Sequence, residues 1–299
     1  MSILNRPSDG LLSVLVALRN ALVAYGPQPE GKLLELAAPS SVVTDGKPDM
    51  ARKTLTRWKQ LGFFEQMDGS VTLSPLISGV QVDDLDGLRK AVLRLVLLPE
   101  NNAVLTGEGK EEAESSKAAD LTRALAWALA QDPYSFPAVY KGGAELLQHS
   151  QGIHPPVFVN DTRWQGFAEW AVFVGAAWVG SKVFVPSPAF AVRSMLCEVF
   201  RGAKELPQAD FFERLAVCLP IVDGGKYREL VERQVADPWR KQLANEISPS
   251  LSSALLTLEA QGTLRLELRS DAPAHTLIGR AGRELRSSSH VLYRDAAPW

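Results

Sequence analysis

Few residues in this chain have the types and spacing that chemistry needs. Glu108-Gly109-Lys110 has the Glu-x-Lys form of a restriction-type nuclease, which needs carboxylates and a lysine on a strand. It sits inside TGEGKEEAESSKAA, a small, polar, charged stretch with no apolar period, so no strand and no catalysis are expected there. His149 and His154 lie near one another, but Pro155 and Pro156 follow and no cysteine or carboxylate falls at metal-ligand spacing. Gly224-Gly225-Lys226 lacks the upstream glycine and the Ser/Thr of a phosphate loop, and VDGGKY reads better as a turn opening a helix. The expectation is no catalytic residue, no metal and no cofactor. A missing motif does not by itself exclude an enzyme, so a hydrolase stays as an outlying alternative.

Binding chemistry is better defined. In PDMARKTLTRWKQLGFFEQMDGSVTLSP, residues 48–75, a spacing of about 100° per residue puts Ala51, Thr54, Leu55, Trp58 and Leu61 on one helix face, which should pack into a core. Arg52, Lys53, Thr56 and Gln60 fall on the other face, with Arg57 and Lys59 at its edges. Arginine and lysine bond guanine edges and phosphates, glutamine pairs with adenine, and threonine touches a thymine methyl or a phosphate. Arg52, Lys53, Thr56, Arg57 and Gln60 are therefore the candidate DNA contacts. Arg265 and Arg269 are a second candidate pair, four apart in the alternating segment TLRLELRSD, which should put both on one sheet face. Arg280, Arg283, Arg286 and Arg294 follow, but Glu267, Asp271, Glu284 and Asp295 are interleaved, so a solvated strand and tail compete with phosphate binding. A basic helix face is also often just solvated. Trp164, Trp170 and Trp178 suggest a base-stacking platform, yet their helical spacing in an apolar run points to core packing.

These residues need a scaffold. Leu11 to Tyr25 has helical leucine and valine spacing and ends at Gly26-Pro27; Lys32 to Ala38 is a second helix; Asp49 to Leu61 is a third, ended by Gly62. FFEQ and VTLS then read as strands joined at Met67-Asp68-Gly69-Ser70, a hairpin signal. Helix, helix, helix, wing is the order of a winged helix-turn-helix domain. A further helix spans about Asp84 to Leu98, and another, opened by Asp120, stops at Asp132-Pro133. Gln165 to Val179 is apolar nearly all round and predicts a buried helix, followed by a strand at KVFVP. PAFAVRSMLCEVF, QADFFERLAVCL and GKYRELVERQVA predict three more helices. The end partly repeats the opening: Ser248-Pro249 starts a helix that ends at Gly262, then TLRLELRSD, with AHTLI as its expected hairpin partner.

The fold class expected is mostly α with small β-wings, as tandem winged helix-turn-helix domains flanking a central helical region. The boundaries are residues 1–104 for the first winged-helix domain, 105–119 for a mobile linker, 120–236 for the central helical domain, itself open to a winged-helix-like arrangement, and 237–299 for the C-terminal winged-helix-like domain. With net charge −2 and a pI near 6.1, DNA contact must come from a local patch rather than from overall charge. Cys197 and Cys218, far apart in apolar contexts, read as reduced and buried in a cytoplasmic protein. The opening run is interrupted by Arg19 and Asn20, as a secretory signal would not be, and Trp170–Val179 is about half the roughly 20 residues that cross a bilayer. No membrane partner is expected.

Four segments carry a resemblance. MSILNRPSDGLLSVLVALRNAL, DLTRALAWALAQDP, WQGFAEWAVFVGAAW with FVPSPAFAVR, and LPQADFFERLAVCLPIVDGGKYRE resemble the DpdG family, proteins of bacterial gene clusters that insert 7-deazaguanine derivatives into DNA and restrict foreign DNA. The resemblance covers most of the chain and rests on overall pattern, so it carries over no catalytic residue. It implies an accessory component of a modification-restriction or phage-defence system, working beside helicase-like or nuclease partners. The function expected is a non-enzymatic component of that complex that binds double-stranded DNA through winged-helix modules. Two alternatives stand beside it: an adaptor that recruits a helicase or nuclease effector by protein contact, and a transcription regulator of its own gene cluster.

Overall fold

Three times among the described residues a helix stops at a glycine and the backbone turns into a β-hairpin. The computed structural model describes residues 2–5, 10–39, 48–105, 117–236 and 243–294. Most of the expected linker, residues 106–116 with Glu108-Gly109-Lys110, lies outside the described residues, as do residues 40–47 of the polar loop and Asp295. The chain divides into two compact units, Met1–Leu121 with Gln165–Trp170, and Thr122–Trp164 with Ala171–Trp299.

The first unit contains α1 (Leu12–Tyr25), β1 (Gln28–Pro29), α2 (Glu30–Ala37), α3 (Pro48–Gln60), β2 (Phe64–Met67), β3 (Ser70–Leu73), α4 (Pro75–Ser78) and α5 (Leu85–Leu97). Its core gathers Leu15, Leu18, Leu33, Leu55, Trp58, Phe63, Phe64 and Val71, with Trp58 edge-on to Phe63. The β2–β3 turn is Asp68-Gly69, at φ +47° and +79°, the two positive values that a two-residue primed turn demands. Asp84 caps α5 by accepting from the Gly87 amide at 2.7 Å. The buried Asn101 amide donates to the carbonyls of Leu61 and Leu95, tying the end of α5 to the end of α3.

Next come α6 (Ala119–Leu129), α7 (Glu145–Ser150), α8 (Asp161–Phe173), β4 (Ala177–Gly180), β5 (Val183–Pro186), α9 (Ala189–Phe200), β6 (Glu205–Pro207), α10 (Gln208–Cys218), α11 (Lys226–Glu232), β7 (Glu246–Ile247), α12 (Pro249–Ala260), β8 (Leu264–Glu267), β9 (His275–Ile278), β10 (Glu284–Ser288) and β11 (His290–Tyr293). In the second unit Gln131, Gln151 and Trp127 form a closed buried ring of hydrogen bonds. Phe136, Phe158, Trp164 and Phe184 pack together as an aromatic core.

The three helix-to-hairpin junctions share one hydrogen-bond pattern. Gly62, Gly175 and Gly262 sit at φ +87°, +76° and +75°, left-handed backbone that a side chain would strain. Their amides donate to Lys59, Val172 and Glu259, and the next residues, Phe63, Ala176 and Thr263, donate to Trp58, Ala171 and Leu258, the paired bonds of a Schellman cap. Each hairpin has the same register: Phe64 faces Leu73, Ala177 faces Pro186, and Leu264 faces Tyr293. Each closes alike, through Ser74 to Phe63, Ser187 to Ala176, and Arg294 to Thr263. A third strand completes two of the sheets, β1 on β3 and β6 on β11, and both strands end on a proline that opens the next helix. The described helices and small, mainly antiparallel sheets agree with the expected mixture of helix and minor β structure.

Four expectations need correction. The apolar run from Gln165 does not stay helical to Val179: α8 ends at Phe173, Gly175 reverses the chain against Phe190, and Ala177–Gly180 is a strand. Trp178 is therefore 52% exposed rather than core. The AHTLI segment is not the hairpin partner of β8; β9 pairs with β10 and, in parallel, with β7, while β8 pairs with β11. The cysteines are free thiols, but Cys197 is exposed and Cys218 half-buried.

Candidate nucleic-acid interface

α3 presents a divided surface. Ala51, Thr54, Leu55, Trp58 and Leu61 are buried, as their periodicity requires. Arg52, Thr56 and Gln60 are exposed at one-turn spacing, and Lys53 is half-buried beside them. Lys59 is spoken for: its Nζ lies 2.8 Å from Glu30 and 2.8 Å from Gln66. Arg57 is the exception to the wheel. Its side chain is 1% exposed, Nη1 donates to the Ile3 carbonyl at 3.2 Å, and Gly10 leaves room that a Cβ would close to 2.8 Å. Arg57 thus ties α3 to the start of the chain and is not part of the exposed stripe. The Gly10 contact is non-local, and helical periodicity cannot register it.

The shared register of the three junctions makes the basic stripe specific to the first. Counted back from the glycine, Arg52 corresponds to Gln165 and Ser252, Lys53 to Gly166 and Ser253, Thr56 to Glu169 and Leu256, and Gln60 to Phe173 and Ala260. Neither α8 nor α12 carries a cation at these positions. The β2–β3 hairpin adds exposed Glu65 and Asp68, so attraction for an anion rests on α3 alone within this hairpin and helix.

The C-terminal arginines separate into two groups. β8 ends at Glu267, so Arg265 and Arg269 do not share a strand as expected. Both bond the same Glu267 carboxylate, Arg265 at 3.1 Å and Arg269 at 3.4 Å. Arg269 also forks onto Glu205 with bonds of 2.7 and 2.9 Å. That fork pushes the Arg269 guanidinium above its ordinary value and holds the Glu205 carboxyl below its own. Arg286 is bonded to Glu259. Arg265 and Arg269, the second candidate pair for DNA, are thus each ion-paired within the protein. Arg280 and Arg283 are exposed and make no ion pair among the described residues.

Other chemistry is sparse. Among the described residues no group of three or more His, Cys, Asp or Glu side chains could hold a metal, and no helix is long and apolar enough to cross a membrane. Gly225 opens α11 as the turn expected of VDGGKY. Arg123, which donates to the carbonyls of Pro155 and Pro156 and to Gln234, is pushed down to about 10 by burial, as a guanidinium used for structure would be.

No curated protein and no solved structure matches the chain. A family model described as DpdG-like matches residues 1–272, in agreement with the resemblance carried by the four quoted segments. The chain belongs to the DpdG-like family.

Proposed function

We propose that this protein is a non-enzymatic, DNA-binding component of a bacterial DNA modification-restriction complex, and that winged-helix modules make the contact. The family supplies the setting, since DpdG proteins accompany 7-deazaguanine insertion into DNA and restriction of foreign DNA. The observation that carries the DNA-binding reading is the Arg52–Thr56–Gln60 stripe, exposed on the third helix of a helix–strand–helix–helix–hairpin order. In a winged helix that helix enters the major groove with its solvent face toward base edges and phosphates. Arg52 and Lys53 supply charge for phosphate or guanine, and Thr56 and Gln60 supply uncharged donors and acceptors. The complex acts in the cytoplasm beside other defence proteins.

The test is duplex binding by the purified chain across a salt series, with an Arg52→Ala/Lys53→Ala variant alongside. Salt-dependent binding that the variant loses supports the reading; an intact protein that binds no duplex at low salt refutes it.

An adaptor role is the second reading, and the β4–β5 hairpin favours it. Trp178 and Val183 fold over Gly180 on one face and leave an exposed apolar surface at a wing. Retention of a helicase or nuclease partner without DNA affinity would support it.

A further inference from the structure

We propose that the turn closing the β9–β10 hairpin is a phosphate-binding finger, in which Arg280 and Arg283 contact the backbone of duplex DNA. This rests on the DNA-binding reading and adds a site outside the α3 stripe. The finger occupies an insertion in the repeated frame. Between β2 and β3 the chain needs only residues 68–69, and between β4 and β5 only 181–182; between β8 and β11 it runs through 268–289. The insertion is itself built structure, with β9 pairing to β10 and to β7.

Its tip is held in one shape. The Gly279 amide donates to the Arg283 carbonyl at 2.7 Å, and the Arg283 amide to the Arg280 carbonyl at 3.1 Å. Ala281, at φ +54°, adopts backbone that costs a non-glycine residue on the order of 1 kcal/mol or more. Its amide donates to Oδ2 of Asp132 at 3.0 Å, and Asp132, 7% exposed, is held by the Tyr134 amide on Oδ1. With that amide occupied, an anion arriving at the tip is met by side chains rather than by the Ala281 N–H.

Those side chains are two arginines three residues apart, both exposed. Arg265, Arg269 and Arg286 each sit on a carboxylate, so between residues 265 and 286 it is Arg280 and Arg283 that carry charge outward without an ion pair among the described residues. Glu284, next to them in sequence, and the buried Asp132 carboxylate on the Ala281 amide offset charge at the tip, so the contact rests on the two exposed guanidinium groups rather than on net charge. A guanidinium fork fits phosphate oxygens, and the residues between and before the arginines, Gly279, Ala281 and Gly282, offer no hydrogen-bonding side chain to read a base edge. With no neighbouring hydrogen-bonding side chain to fix a base, the arginines are assigned to the regularly spaced phosphates of a duplex rather than to a specific acidic peptide.

The test is anisotropy titration of the full chain with a mixed-sequence duplex across a salt series, using Arg280→Gln/Arg283→Gln, Arg280→Lys/Arg283→Lys and Arg52→Ala/Lys53→Ala. Loss of two phosphate contacts makes the log affinity against log salt slope shallower by about 1.8, at about 0.9 per phosphate. The glutamine variant shows that change, and the lysine variant keeps most of the slope. Thermal melts of both variants match the intact protein, because the side chains are exposed. An unchanged slope in the glutamine variant, with binding still lost in Arg52→Ala/Lys53→Ala, overturns the finger and leaves the α3 reading standing. No binding by the intact protein at low salt overturns both. A glutamine variant that keeps its DNA slope but loses binding to polyglutamate reassigns the tip to acidic protein and also overturns the proposal.

Discussion

Glu267 pairs with His290 across the sheet at the register position where Met67 pairs with Ser70, although residues 268–289 rather than 68–69 lie between them. The frame of helix, glycine and hairpin is thus indifferent to what fills the hairpin turn. One copy closes with Asp68-Gly69, and another carries a second hairpin in the same place. The frame is set by backbone geometry at the helix end, while surface chemistry is distributed separately among the copies.

The three junction glycines separate geometry from packing. Gly62→Ala and Gly262→Ala each cost about 1 kcal/mol, the strain of a left-handed position with ordinary space around the new methyl. Gly175→Ala costs more, on the order of 2–4 kcal/mol, because the methyl would lie 2.2 Å from the Phe190 ring. Urea unfolding of the three variants measures this, and equal costs would contradict the contact at Phe190.

Arg57 and Arg52, neighbours on one helix, answer differently to truncation. Arg57→Ala removes a buried side chain and its bond to Ile3, and lowers stability by about 2–4 kcal/mol. Arg52→Ala stays within about 0.5 kcal/mol of the parent in the same unfolding experiment but weakens duplex binding.

Releasing Arg269 should add attraction for DNA. Glu205→Gln leaves the guanidinium with Glu267 alone, so duplex affinity rises at low salt and the salt slope steepens by up to about 1. Because the Glu205 carboxyl is held below its ordinary value, its ion pair is intact at neutral pH, and its contribution is lost only as pH falls through that lowered value. The comparison is therefore made at pH 7. An unchanged affinity and slope would show that Arg269 does not face DNA even when free.

His275 is expected to contribute acid sensitivity to the fold. Burial against Phe212 holds the ring below the ordinary histidine range, and its Nδ1 has no hydrogen-bond partner among the described residues. The unfolded chain therefore binds the proton first. The contribution of His275 to stability is constant above about pH 6.5, declines as pH falls below it, and levels off beneath the lowered folded value. His275→Gln flattens that part of the profile, read as the difference in urea midpoint between variant and parent from pH 8 to pH 5. A parallel profile in the variant would assign the acid sensitivity elsewhere.

Much of the frame was legible because its causes are local. Helical periodicity gave the buried face of α3, Gly62 and Gly262 marked helix ends, and Asp68-Gly69 marked a turn, each through the backbone preferences of a few adjacent residues. The same periodicity names the faces of an element without naming what covers them. Arg57 lies at the edge of the α3 wheel, and Ile3 and Gly10, brought there by folding, meet its side chain. Likewise TLRLELRSD reads as a strand, but choosing β11 over AHTLI depends on pairing across residues 268–289. Whether an arginine is free charge or one end of an ion pair depends on carboxylates as distant as Glu205 is from Arg269. Local backbone chemistry determined the elements of this protein; burial, strand partners and the availability of its charges were decided by non-local contacts that only the tertiary structure creates.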